Sequence, residues 1–560
     1  MNRSSRYFYK LMMLLLLVAL ASCKKKPSPE TGGPDPIVIT LTKLLVDGQQ
    51  TTGSLLRQVD RMATITLEFS TAIKKESASQ SISLTDAVGN SHPMQFNYAN
   101  GDKEIQLKMS SPMKGLTAYT LNISSQLQSV SGLNLGTFRT LAMQTVVDST
   151  DKFDRVSDGQ LLDIVQRKTF SYFWEFGHPT SGMARERNLT PDVITTGGTG
   201  FGIMCIPVAV ERKFITRSEG LERMKKIVSF LTLKAEKFHG AFSHWLHGVT
   251  GRTIPFSTKD NGADLVETSY LMAGLLTARE YFNGNDPAEV RLVADINALW
   301  NAVEWSWFRR NAQQVLYWHW SPSYNWDMNL KIEGWNEALI TYILAASSNT
   351  DPIPKEVYTN GFARSGAMVT NQNHYGLPLP LGPPLGGPLF LSQYTFLGID
   401  PRGLKDAYAD YGLQTVNHSR INHAYCKENP KGFAGYGADC WGLTASDIKD
   451  GYAANSPTQD IGVISPTAAI TSMPFTPVES MAALKFFYYK MGDRIWGEWG
   501  FSDAFSIHDL WFTQAGLAID QLPQVVMIEN HRSGLVWKLL VGCPEIKRGM
   551  KALGFSSPYL

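Results

Sequence analysis

An excess of charge of either sign is missing from this 560-residue chain: 52 Lys and Arg stand against 50 Asp and Glu, a net charge of +2. Nucleic-acid binding needs a basic stripe to match phosphates, so that function class is set aside. Cysteine is scarce, five in all, and none shows the short Cys/His spacing of a zinc site. The glycine-rich run GGTGFG at 197–202 reads poorly as a phosphate loop, with no strand expected before it and no Lys-Ser/Thr pair after it. The apolar run Leu11–Leu20 is too short for a spanning helix, which needs about 20 residues.

What is present is ample core material. With 43% hydrophobic residues the chain should fold into two or three domains and is neither disordered nor fibrous. At the N-terminus Arg3, Arg6 and Lys10 precede the apolar run, the pattern of a secretory signal, here residues 1–22. Its end, Leu20-Ala21-Ser22-Cys23, resembles a bacterial lipobox, which implies acylation of Cys23 and a lipid-anchored protein of the cell envelope, on the periplasmic side or the cell surface. Residues 23–36, rich in Lys, Pro and Gly, read as a solvated tether. In that oxidising compartment Cys426 and Cys440 could bridge a loop, or they could be buried thiols.

Residues 37–147 read as β. VITLTKLLV, ATITLEFS, EIQLKMS and YTLNIS alternate or cluster β-formers, with turn residues at roughly ten-residue intervals, as in a small sandwich. These segments resemble bacterial Ig-like domains, and without clustered acids or exposed aromatics the domain reads as a stalk. A polar linker, residues 148–160, leads into 161–560, where the apolar period is helical. Nearly all-apolar helices alternate with amphipathic ones, Gly200–Phe214 before Ser218–Phe238 and Ala263–Phe282 before Pro287–Phe308. Inner helices buried all round and covered by amphipathic ones are what an (α/α)6 barrel requires, so an all-α barrel preceded by a small all-β domain is the expected fold. The long segments Asn371–Asp400 and Asn417–Ser472 read as loops walling one mouth of it.

The chemistry is expected at that mouth. Asp264 and Glu267 are three apart on one helix face, and Glu337 begins the next inner helix after a stretch crowded with aromatics, Tyr317–Ile340. Carboxyl pairs flanking a sugar linkage serve as acid and base, and indole rings stack on the C–H faces of sugars. Glu337, with the most apolar surroundings, is the expected proton donor; Asp264 and Glu267 are candidates for the base or for gripping hydroxyls. Candidate substrate-binding residues are Arg185, Glu186, His244, Trp245, Trp318, Trp320, Trp326, Trp335 and Trp441. The bland alternative is that these aromatics fill a core and each acid serves its helix N-terminus, as it would for Glu479 and Asp520 as well. No metal or cofactor is expected.

The ordered blocks KTFSYFWEFGHPTSGMARER, GGTGFGIMCIPVAVERKFITRSEGLERM, FSHWLHGVTGR, ADLVETSYLMAGLLTARE and GWNEALITYILA resemble glycoside hydrolase family 144, across essentially Leu161–Leu560. The resemblance implies an (α/α)6 barrel, metal-independent inverting hydrolysis of β-1,2-glucan and a functional acid set falling on Asp264, Glu267 and Glu337. The expected partner is a β-glucan, cut internally or from chain ends, and the expected state is monomeric. A lipid-anchored glycan-binding protein without turnover is the alternative from another class.

Overall fold

The computed structural model describes residues 38–51 and 53–560. The expected signal, the tether and Cys23 lie outside the described residues. Contacts divide the chain into two compact units: one holds the described residues up to Ser54 with Met62–Pro112 and Thr120–Ala142, the other Leu55–Arg61, Met113–Tyr119 and Met143–Leu560.

The N-terminal strands are β1 (Leu41–Val46), β2 (Gln49–Gln50), β3 (Leu55–Val59), β4 (Thr64–Phe69), β5 (Ile82–Asp86), β6 (Met94–Ala99), β7 (Glu104–Met109), β8 (Ala118–Ile123) and β9 (Arg139–Thr145). They form one sheet of order β2-β1-β4-β7-β6 and another of order β3-β9-β8-β5. β4 and β7 alternate strictly, burying Ile65, Leu67 and Phe69 on one and Ile105, Leu107 and Met109 on the other, as strands with one covered face must.

The helical unit starts earlier than the linker reading allows. Helix α1 (Asp158–Trp174) takes in residues 158–160, because Ser157 and Gln160 form a reciprocal capping box that satisfies the first orphan N–H groups. Helix α2 (Thr196–Glu211) is buried from Thr196 to Ala209, and α3 (Arg217–Leu233) covers it with the face of Met224, Ile227 and Leu231. The pair repeats with α4 (Leu265–Tyr281), buried from Leu265 to Arg279, and α5 (Pro287–Asn301), which is amphipathic. Every residue of α6 (Leu339–Ser347) is buried.

The segment Asn417–Ser472 corrects the sequence reading. Its first part is helix α7 (Tyr411–Glu428), which lacks an apolar period because its buried face is polar. Gln414 exchanges two hydrogen bonds with the Leu381 backbone, Asn417 donates to Pro378 O, His418 bonds Gly387 O and Ser392, and Asn422 exchanges two with Leu443. Here a helix face satisfies the buried backbone of a Pro/Gly-rich loop, and hydrophobic pattern carries no trace of that. In that loop, residues 369–374 and 377–381 pair as a hairpin.

Two more helices complete the packing that matters for the site, α8 (Pro466–Thr471) and α9 (Ala518–Arg532). α6 packs on α4, α4 on α2, α2 on α9, and α9 on α1 and α8. The α2–α4 approach is set by glycine: a Cβ on Gly200 would lie 2.1 Å from Tyr270 O, and one on Gly274 2.2 Å from Gly200 O. Cys205, Cys426, Cys440 and Cys543 are all buried free thiols, so Cys426 and Cys440 form no bridge.

Candidate active site

Two small sheets carry side chains to the starts of α2 and α4. Strands β10 (Val193–Thr195), β11 (Trp245–His247) and β12 (Thr253–Ile254) pair in that order, with Thr195 opposite Trp245. A strand therefore does precede the GGTGFG run, contrary to expectation, because β11 supplies its edge. The run is no phosphate loop even so. Gly197 N–H donates to Glu267 Oε2 at 2.7 Å, and a Cβ at 197 would stand 2.5 Å from that oxygen. The glycine is there for a carboxyl. The second sheet pairs β13 (Ala263–Asp264) with β14 (His319–Trp320), placing Asp264 opposite His319.

Asp264 is the N-cap of α4 and fully buried. Its Oδ1 accepts from Val266 N–H and Glu267 N–H at 3.0 and 2.9 Å, while Oδ2 faces His244 Nδ1 at 3.2 Å and His319 Nε2 at 3.4 Å. Both of its oxygens are thus occupied, one by the helix backbone and the other by two imidazoles. Burial opposes its ionisation, yet the hydrogen bonds and charges of His244 and His319 hold it well below the usual carboxylate range. His319 Nε2 also meets Asp260 Oδ2 at 3.2 Å. Burial disfavours both imidazoliums, but the charges of Glu267, Asp264 and Asp260 push His244 up to about 9, and the hydrogen bonds and charges of Asp260 and Asp264 push His319 up to about 10.

Glu267 faces the cavity. Burial, with the charges of Asp264 and Asp260, outweighs the His244 charge and the Gly197 N–H and raises it to about 7. Glu337 lies before α6 and partly open to solvent; its backbone carbonyl accepts from Thr395 at 2.8 Å and Tyr270 at 3.4 Å. Burial raises it to about 7, against its own backbone N–H and helped by the charges of Glu267 and Asp264. Two carboxyls that titrate near neutrality and feel each other's charge can divide acid and base roles.

The cavity, of about 460 Å³, is bordered by Glu267, His244, Trp245, Phe256, Glu186, Arg187, Tyr394 and Tyr452 among others. Trp245 and the half-exposed Phe256 pack at 4.8 Å between ring centres, with His244 stacked on Phe256 at 4.3 Å. Also at the cavity, Arg187 bonds Glu186 Oε2 at 2.9 Å and Asp447 at 3.2 Å. Behind it, Asp447 N–H donates to Asp503 at 2.6 Å and Tyr394 OH donates to Asp520 at 3.2 Å. Burial, helped by the charge of Asp447, raises Asp503 to about 7, and burial with the charge of Asp503 raises Asp520 well above the usual carboxylate range.

Among the described residues, His244, Asp260 and Asp264 place one ligand atom each within 4.8 Å of one another, the spacing a metal ion would need. His244 Nδ1 and Asp264 Oδ2 are already committed to each other, so a cation would have to displace that bond.

Of the expected binding residues, Glu186, His244 and Trp245 border the cavity. Arg185 does not: its guanidinium donates to Pro191 O and Phe176 O and lies over the Phe176 ring, and Arg187 takes the place expected for it. Trp441 is fully buried, its indole N–H donating to Glu479 O, because it fills the core around Tyr425 and Cys426. Trp335 is buried against Phe396 and Tyr411. Trp320 and Trp326 pack with Trp307 in an aromatic nest away from the cavity, and Trp318 is half-buried beside His319. The aromatics of Tyr317–Ile340 thus mainly hold β14 in place. Sequence reasoning missed Asp260, His319, Asp447, Asp503, Tyr394 and Tyr452, which sit on irregular segments and short strands without a periodic signal; His319 is further masked by its flanking tryptophans.

A family model described as putative glucoamylase matches residues 329–544, and one for a bacterial Ig-like domain matches residues 51–145. An endo-β-1,2-glucanase structure from Chitinophaga pinensis is 52% identical, with a TM-score of 0.71, covering 72% of this chain and 100% of that one. The chain belongs to glycoside hydrolase family 144. Within it, a β-1,2-glucanase structure from Parabacteroides distasonis is 36% identical, covering 92% of this chain and 73% of that one at a TM-score of 0.69. An exo β-1,2-glucooligosaccharide sophorohydrolase acting at the non-reducing end, also from P. distasonis, is 45% identical over 423 residues. That match takes in 71% of this chain and spans 58% of the relative's length.

Proposed function

We propose that this family 144 member is a β-1,2-glucan hydrolase that inverts at the anomeric carbon and yields sophorose or short sophorooligosaccharides. The observation that carries it is Glu267, a carboxyl raised to about 7 at an aromatic-walled cavity, with Glu337, also raised to about 7, near enough to feel its charge. Glu267, beside the His244 imidazolium and the Gly197 N–H, loses its proton first and serves as the base that takes a proton from water. Glu337 keeps its proton and gives it to the leaving oxygen, the division an inverting hydrolysis needs. Trp245, Phe256, Tyr394 and Tyr452 supply faces for sugar rings, and Arg187 with Glu186 grips hydroxyls. In this reading the buried helices α2, α4, α6 and α9 belong to the inner ring of an (α/α)6 barrel.

Release of sophorose from chain ends is the mode we favour. What supports it is that both long segments contribute to the walls, Phe390 and Tyr394 from one and Ala445, Tyr452 and Ala454 from the other. The test is incubation with linear β-1,2-glucan beside β-1,3-, β-1,4- and α-1,4-glucans. Sophorose alone at early times, with viscosity nearly unchanged, is expected; a ladder of longer products overturns the exo mode, and no product from the β-1,2 polymer overturns the activity.

Lipid anchoring at Cys23 in the cell envelope is part of the same proposal and rests on the Leu20–Cys23 tetrapeptide. Labelling with a palmitate analogue should be lost in Cys23→Ala.

A further inference from the structure

The network behind His244 does more than fill space. From the loop before β13 to the cavity run Asp260, His319, Asp264, His244 and Glu267, each within 4 Å of the next: 3.2 Å, 3.4 Å, 3.2 Å and, from His244 Nε2 to Glu267 Oε1, 3.9 Å. Acid and imidazole alternate along the whole run. The β13–β14 ladder fixes His319 opposite Asp264, and capping bonds fix Asp264 on α4, so neither can swing away. Asp260 is 4% exposed and His319 8%, and neither borders the cavity.

This arrangement stabilises poorly. Asp260 Oδ1 and His319 Nδ1 are buried with no hydrogen-bond partner, a cost a purely structural site would avoid by using apolar residues. Buried ionic groups kept despite that cost point to a task for their charge.

We propose that Asp260 and His319 are positioning residues that set the ionisation of Glu267 through Asp264 and His244. The inference deepens the reading of Glu267 as the base and rests on it. His319 neutralises the charge of Asp264 and of Asp260, so that the His244 imidazolium meets Glu267 as an uncompensated cation and favours its carboxylate. Asp260 opposes this, since its negative charge reaches Glu267. The other groups facing Glu267 are the Gly197 N–H from α2, Asp264 and Tyr270 from its own helix, Glu337 from the segment before α6, and Glu186 with Arg187 at the cavity.

The two residues therefore have opposite signs, which packing effects do not reproduce. Asp260→Asn removes a negative charge and should lower the Glu267 pKa by about half a unit or more; His319→Gln removes a positive charge and should raise it by a similar amount; the double variant should return close to the parent. The readout is the carboxyl 13C titration of Glu267 in the full, ligand-free protein, assigned by its loss in Glu267→Gln. The acidic limb of kcat/KM on β-1,2-glucan is the second readout and should move in the same two directions. Shifts of the same sign in both single variants, or no shift in either, overturn the proposal. Should His319→Gln not fold, His319→Asn carries the same neutral amide on a shorter stem, and the sign of its shift decides. A parent protein that cleaves no β-1,2-glucan would overturn the proposed function while leaving the carboxyl titration to judge the network.

Discussion

His319 sits directly across a two-residue antiparallel ladder from Asp264, its Nε2 3.4 Å from Asp264 Oδ2. Backbone pairing between β13 and β14 thereby fixes an imidazole against the cap of the helix that carries Glu267. An N-cap normally serves only its helix, but this one spends one oxygen on backbone and the other on two histidines.

Removing the proton donor should remove turnover without removing substrate. Glu337→Gln and Glu267→Gln are each expected to lower kcat on β-1,2-glucan by about 10²–10⁴ with KM changed little, the range for loss of a general acid or base. Steady-state kinetics with a circular dichroism control on folding checks this, and full activity in Glu337→Gln removes it as the donor.

The same pair sets the pH profile. Below about 7 Glu267 takes up a proton and the base is lost; above about 7 Glu337 gives its proton up and the acid is lost. A narrow bell for kcat/KM centred near neutrality is expected, and its two limbs belong to the coupled pair rather than to either residue alone.

Stability should fall as pH rises. His244 and His319 are raised in the folded state to about 9 and about 10, above the roughly 6.5 of an unfolded chain. Their stabilising contribution is fully present below the unfolded value and is lost as pH climbs through the folded ones. Melting temperature should therefore decline between about pH 6.5 and about pH 10, and the decline should be shallower in His319→Gln.

Two tryptophans separate binding from folding. Trp245→Ala should raise KM several-fold at nearly unchanged melting temperature, because the ring borders the cavity. Trp441→Ala should instead cost about 3–5 kcal/mol of stability, the range for truncating a large buried side chain, visible in a denaturant titration.

Glycine at the α2–α4 crossing is open to the simplest test. Gly274→Ala forces a methyl onto Gly200 O and should destabilise the protein by about 1–3 kcal/mol, read as a lower melting temperature. Gly197→Ala should spare stability more and activity less, since the methyl meets the Glu267 carboxyl.

By itself the sequence determined the division into a strand-rich region and a helical one, and which helices are buried all round, because alternation and apolar period are local properties of the chain. It also put Asp264, Glu267 and Glu337 forward together, through helix spacing and the resemblance of ordered blocks. Tertiary structure alone decided the surroundings of each. Asp264 and Glu267 look equivalent at three residues' spacing, yet one is consumed by capping and histidines while the other faces the cavity. α7 stayed illegible because its buried face is polar, satisfied by loop backbone that only folding brings near. Trp441 and Trp245 cannot be told apart as residues; burial made one core and left the other at the cavity. Asp260 and His319 acquire meaning only when β13 pairs with β14, since ionisation answers to charges gathered in space from distant parts of the chain.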